Sequence, residues 1–190
     1  MVNQYVMKRE YFLIAVFVLF FSCKSKNDTA NYTEIQKKGS EMATLAQSVL
    51  LANVGKAIQT GGPVYAVEFC NLSASVITDS LNIAGNCVIS RISAKNRNPE
   101  NGLKTESEQM LWSIFENGTL NDTVIFENHK LIYYKPIKTG LPACLKCHGE
   151  IGSDIDAVTA EKLKNLYPND LATEYKLNDF RGLWKIEFKK

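Results

Sequence analysis

Thr123-Val124-Ile125-Phe126-Glu127 and Leu131-Ile132-Tyr133-Tyr134-Lys135-Pro136-Ile137 lie on either side of Asn128-His129-Lys130. Both runs are rich in β-branched and aromatic residues, and the link between them has turn chemistry, which predicts an antiparallel hairpin. Upstream, the Gly85-Asn86 turn is followed by Cys87-Val88-Ile89-Ser90-Arg91-Ile92, which alternates as a strand, and residues 183–188 read as a last strand. Strand alternation lets only one of Tyr133 and Tyr134 face inward.

The rest reads mainly as helix. Between residues 32 and 60, Ile35, Met42, Leu45, Ala46, Val49, Val54, Ala57 and Ile58 recur at helical spacing until Gly61-Gly62. Pro63 suits the first turn of a second helix, where its missing N–H costs nothing. In that helix Val67, Cys70, Ala74, Ile77 and Leu81 share one face, so Cys70 is expected to look inward. Thr105 and Glu108 form a capping box that opens a third helix, with Met110, Leu111, Ile114 and Phe115 as burial candidates. Residues 96–102 and 141–149 read as loops, and residues 156–166 as a short helix. Helices first, then an antiparallel sheet interrupted by helices, predict an α+β domain without the βαβ alternation of a parallel sheet.

Of the 190 residues, 45% are hydrophobic and 22% charged, the profile of a folded domain. A net charge of +2, with basic residues spread along the chain, excludes a nucleic-acid-binding face. Lys8-Arg9 precede an apolar run from residue 11 to 21, which as a helix rises only about 16 Å, against about 30 Å for a hydrocarbon core. A charged start, a short apolar core and small Ser22 before Cys23 predict a lipoprotein-type signal peptide over residues 1–22, lipidated on Cys23. Residues 23–33 then form a tether and 34–190 the domain. The expected location is the periplasm or cell envelope, anchored to a membrane through the lipid. Lys24, rather than aspartate, after Cys23 leans toward the outer membrane.

Cys144-Leu145-Lys146-Cys147-His148 carries the chemistry. Two cysteines two residues apart, followed by histidine, are the attachment signature of haem c. Both thiols add to the haem vinyl groups, so they must lie about a turn apart, and the adjacent histidine becomes an axial iron ligand. Export agrees with this, because haem c is assembled outside the cytoplasm. Zinc needs four ligands, usually as two separated pairs. A redox-active Cys-x-x-Cys is expected at a helix start in a βαβ unit, which a loop does not supply. A disulfide closing so short a loop gains little stability.

The other axial position decides what such an iron does. The pattern offers Met42, Met110, His129, Cys70 and Cys87, and does not choose among them. His129 sits at a hairpin tip, where a solvated turn residue is expected. Arg91, Lys95 and Arg97 are candidates to pair with haem propionates, since guanidinium suits carboxylate bidentately. Tyr133 and Pro136 are candidates to line the pocket.

Several segments resemble a family of PAS-like extracytoplasmic haem c domains, found alone or as the sensor input of signalling proteins. They are Ala66-Val67-Glu68-Phe69-Cys70-Asn71, the run Arg91-Ile92-Ser93-Ala94-Lys95-Asn96-Arg97-Asn98-Pro99-Glu100-Asn101, and Tyr133-Tyr134-Lys135-Pro136-Ile137 leading to the pentapeptide. Tyr167-Pro168-Asn169-Asp170-Leu171-Ala172 and Phe180-Arg181-Gly182 continue it, so that the likeness covers about residues 34–190. The resemblance implies a PAS-like antiparallel sheet with long N-terminal helices and a C-terminal haem-attachment loop. It also implies iron held between His148 and Cys70. Glu174 and Asn178 stand where such domains commonly have glycine, so the loop there is expected to be shaped differently.

The expected function is therefore that of an exported protein with one covalent haem c, serving as a redox or small-gas (CO/NO) sensor. The alternative is a membrane-tethered electron-transfer cytochrome. No acid–base pair suggests an enzyme. A redox or signalling protein is the expected partner, and a diatomic gas a possible ligand.

Overall fold

The computed structural model describes residues 26–189, with side chains from residue 31 onward except 73–75. The expected signal peptide, residues 1–22, and Cys23 lie outside the described residues. The chain divides into two compact units, residues 1–31 and 32–190, and the second contains every element that positions the site.

Helix α1 (Lys26–Gly85) contains the two helices expected from sequence, joined across a kink at Gly61-Gly62. Gly62 has φ 73° and ψ −173°, backbone that only glycine adopts without strain, and Pro63 restarts the helix directly after it. Then come β1 (Cys87–Ile92), a 3₁₀ turn (Pro99–Asn101), α2 (Glu106–Glu116), β2 (Thr123–Glu127), β3 (Lys130–Lys138), α3 (Pro142–His148), α4 (Ala157–Leu166) and β4 (Phe180–Phe188). The four strands form one antiparallel sheet in the order β1-β4-β3-β2. This is an α+β, PAS-like architecture. Asn128 and His129, both at positive φ, turn the β2–β3 hairpin, and His129 is exposed there.

Both faces of the sheet are covered. On one, Cys87 and Ile89 of β1, Tyr133 of β3 and Trp184 and Ile186 of β4 pack against Ala43 and Ala46 of α1. On the other, Ile92, Ile132, Tyr134 and Leu183 pack against Leu111 and Phe115 of α2. Tyr133 and Tyr134 are therefore both fully buried, one on each face. The expectation that only one faces inward assumed a sheet with one wet side, and α2 removes that side.

Small residues bring α1 onto the sheet, and Gly39 is the tightest of them: a methyl group there would overlap the Tyr133 ring. We expect Gly39→Ala to destabilise the domain by about 1–3 kcal/mol, the cost of overpacking, as read by denaturant titration. A stability equal to wild type would mean that α1 can lift off the ring freely.

The Thr105/Glu108 capping box forms as expected: Thr105 Oγ1 accepts from Glu108 N and the Glu108 carboxylate accepts from Thr105 N. Glu108 is also buried, accepting from Lys104 N at 2.6 Å and from Lys185 Nζ at 3.1 Å. Met110, expected in the core, is 58% exposed, and Trp112 is buried instead, stacked near Phe180.

Between β3 and β4 the chain makes an excursion that carries α3 and α4. Its two ends are tied together: Thr139 N donates to Asp179 O, Asn178 N to Thr139 O, and Thr139 Oγ1 to Lys176 O. Glu174 (φ 65°) and Asn178 (φ 70°) both adopt left-handed backbone. Both positions thus adopt backbone that glycine favours. Asparagine tolerates this region well; for glutamate the cost is about 1–2 kcal/mol.

Candidate haem site

The pentapeptide, expected in a loop, lies on helix α3. Pro142 at its first turn and Gly149 just past its end are ordinary start and stop signals. Seven residues are too few to show hydrophobic periodicity, and such a helix depends on tertiary partners for its ends. Those partners are in place. The carbonyl of Cys147 accepts from Arg97 Nη2 at 2.5 Å, that of His148 from Tyr175 N at 2.9 Å, and that of Gly149 from Glu174 N at 3.0 Å. Cys144 and Cys147, three apart, share one face of the helix.

His148 Nδ1 lies 2.7 Å from Ala172 O. A carbonyl can only accept, so Nδ1 carries the proton and donates, leaving the Nε2 lone pair free. The pKa of His148 is held well below 6.5, first by burial and then by the positive charges of Arg97, Arg181 and Arg91, partly offset by the bond to Ala172. The imidazole is therefore neutral at physiological pH, as a metal ligand must be.

A cavity of about 490 Å³ opens between the kinked α1, the ends of β1 and β4, and α3. That volume lies within the range of cofactor sites. Cys70, Arg91, Arg97, Cys144, Cys147, His148, Tyr167 and Arg181 all line it, with Leu50, Leu51, Val54 and Val67 as apolar wall. Of the five side chains considered for a second axial position, only Cys70 lines this cavity. Cys87 is buried in the core cluster against α1, Met42 packs on the same cluster, and Met110 and His129 are exposed. Cys70, Cys87, Cys144 and Cys147 are all free thiols, so no Cys70–Cys87 disulfide competes.

Burial raises the pKa of Cys70, while the nearby guanidinium groups of Arg91 and Arg97 lower it. Cys147 is pushed up to about 11, chiefly by burial, with Arg97 opposing. Among the described residues no three His, Cys, Asp or Glu side chains cluster to hold a metal ion by themselves. The donors are spread along one cavity.

The arginines divide into two kinds. Arg97, expected to face a propionate, pairs with Asp170, its Nε 2.9 Å from Oδ2. Arg91 and Arg181 have no carboxylate partner among the described residues. Arg91 reaches the cavity because Cys87, Ile89 and Arg91 alternate onto the face of β1 that α1 covers. Arg181 donates through Nη1 to Ser93 Oγ and Lys95 O, and its buried Nε has no partner. Burial lowers the pKa of both guanidinium groups. Arg181 has no role legible in the sequence, because nothing local in Phe180-Arg181-Gly182 marks a cavity. Lys95 turns aside to Thr173 O and the Tyr175 ring.

Two expectations are corrected. Tyr133 does not line the cavity: it lies beneath α1, its hydroxyl donating to Asp122 Oδ2 at 3.0 Å. Pro136 does not line the cavity itself but borders an adjoining groove that shares Gln47, Leu51 and Trp184 with it. Both precede the pentapeptide in sequence, but β3 runs through the middle of the sheet and delivers them elsewhere.

A haem suits these residues: two thiols a helical turn apart, a neutral histidine with its outer N–H satisfied, a further thiol lining the same cavity, and two half-buried guanidinium groups without a carboxylate partner among the described residues. No curated protein matches the chain. Among solved structures the fold is similar to the crystal structure of the cyanobacterial heme-protein Tll0287, with a TM-score of 0.62 and 19% identity over 83% of this chain and 96% of that one. At that identity the likeness is one of fold. The sequence profile of the family described as Tll0287-like matches residues 22–188, nearly the whole length, and the chain therefore belongs to the Tll0287-like family.

Proposed function

We propose that this chain carries one covalent haem c and works as a non-enzymatic redox or small-gas sensor on the outer side of a membrane, anchored through Cys23. Cys144 and Cys147 form the thioethers, His148 and Cys70 the axial ligands, and Arg91 with Arg181 the counter-charges of the propionates. The observation that carries this reading is that Cys70 of α1 lines the same cavity as the pentapeptide, whereas Met42, Met110, His129 and Cys87 do not. The cyanobacterial relative is described as a heme-protein, which supports the cofactor.

When bound, the haem supplies one-electron chemistry and an iron able to take a diatomic ligand. The protein's part is to hold and bias it. The Ala172 carbonyl fixes the His148 tautomer and raises its basicity. A thiolate at Cys70 favours ferric iron, so a low potential is expected. Burial would favour the neutral thiol of Cys70 whenever the iron did not hold it, opposed by Arg91 and Arg97. Cys70 sits in the half of α1 beyond the kink, which couples ligand release to a helix that a partner protein can read.

The test is the absorption spectrum of the wild type and of Cys70→Ala. Haem is expected to stay attached in the variant while the thiolate signature disappears. Carbon monoxide should then shift the spectrum of the reduced wild type. A reduced spectrum indifferent to carbon monoxide, with reversible voltammetry, would replace the sensor reading with that of a tethered electron carrier.

A further inference from the structure

The cavity arginine that does not face free space is the most heavily bonded. Arg97, 14% exposed at its side chain, contacts Asp170 Oδ2 through Nε and the carbonyls of Cys147 and Ala172 through Nη2, the last at 3.3 Å. Asp170, 10% exposed, accepts from Ala172 N at 2.8 Å through its other oxygen. Ala172 O is the atom to which His148 Nδ1 donates. One residue, Ala172, is therefore held by a carboxylate at its N–H and by a guanidinium at its carbonyl, and that same carbonyl accepts from the His148 ring.

We propose that the Arg97–Asp170 ion pair is a charge-balanced positioning device that sets how strongly His148 donates to the haem iron. The inference rests on the haem reading above. A carbonyl accepting from a ligating histidine raises the basicity of the ring, and does so less when a second, cationic donor draws on the same oxygen. The positive charge of Arg97 also opposes the ferric state through a medium of low effective dielectric. Asp170 offsets both effects by neutralising Arg97. The two residues therefore pull the iron in opposite directions, although both hold the same loop against α3.

That opposition separates tuning from simple support. In the full-length haem-loaded protein, Arg97→Gln is expected to lower the midpoint potential and Asp170→Asn to raise it, each changing the ferric/ferrous equilibrium by about tenfold, or about 59 mV. Asparagine can still accept from Ala172 N, so the loop keeps that bond. The double variant Arg97→Gln/Asp170→Asn is expected to return close to the wild-type potential. Arg97→Lys keeps the charge and should restore most of the potential. The iron–histidine stretching frequency, read by resonance Raman on the reduced protein, should rise in Arg97→Gln and fall in Asp170→Asn.

Shifts of the same sign in both single variants, or none in either, would overturn the inference while leaving the haem assignment intact. If one single variant does not fold, the other decides: Arg97→Gln has to lower the potential or Asp170→Asn to raise it, and an unchanged or opposite shift removes the inference. A pyridine haemochrome assay on denatured wild type keeps the two levels apart. Absence of covalent haem there removes the functional reading and this inference together.

Discussion

In a Cys144→Ala/Cys147→Ala variant, haem that stays with the chain after denaturation is expected to fall to background, while each single variant keeps one thioether and a measurable fraction. The chain has five cysteines, and only these two share a helical turn beside the ligand histidine. Both are free thiols. With its pKa near 11, Cys147 stays protonated at neutral pH, and disulfide exchange needs the thiolate. The fold should tolerate the change, because alanine fills most of the space that Cys147 occupies beside Val67, Ile155 and Leu163. A haem-stained denaturing gel reads the outcome, and covalent haem persisting in the double variant would defeat the assignment.

The second large effect is a pH dependence of the haem-free protein. Burial, Arg97, Arg181 and Arg91 hold the pKa of His148 well below 6.5, against the Ala172 bond that raises it. The unfolded chain therefore takes up a proton at a pH where the folded chain does not, so unfolding gains protons and stability rises with pH in that window. The stabilisation is fully present above about pH 6.5 and is lost as the pH falls toward the depressed folded value, by about 1.4 kcal/mol per unit. Against a net stability of about 5–15 kcal/mol this is a large loss. Carboxylates titrate lower: Asp156, held down by its bonds to Thr159, contributes at more acidic pH. Of the two histidines, the other, His129, is exposed at the hairpin tip and supplies the matched control substitution. Denaturant titrations between pH 5 and 7 check this. A slope that survives in His148→Gln would show that another group carries it.

Much of the fold was legible because its signals are local. The capping box at Thr105 and Glu108, the Gly61-Gly62 break, the hairpin at Asn128-His129 and the alternation of β1 each follow from a few adjacent side chains. Where reasoning from sequence missed, a distant element was responsible. Tyr134 is buried because α2 covers the second face of the sheet, and α3 is helical because Arg97, Glu174 and Tyr175 take up its last carbonyls. Glu174 and Asn178, read as departures, keep left-handed backbone because the loop they close is pinned at Thr139.

The candidate site divides along the same line. The sequence by itself carries the signature on which the proposed attachment rests, since two cysteines and a histidine that would hold a haem c have to be contiguous, as they are at residues 144–148. It also determined that Cys70 faces inward, because helical periodicity is local. Only the tertiary structure decided which candidate lines a cavity with His148, which arginines lack a carboxylate partner among the described residues, and that Arg97 is instead engaged by Asp170, 73 residues away. Those pairings depend on how the kinked α1 and the excursion between β3 and β4 pack against one sheet. No short stretch of sequence encodes a distance between residues so far apart along the chain.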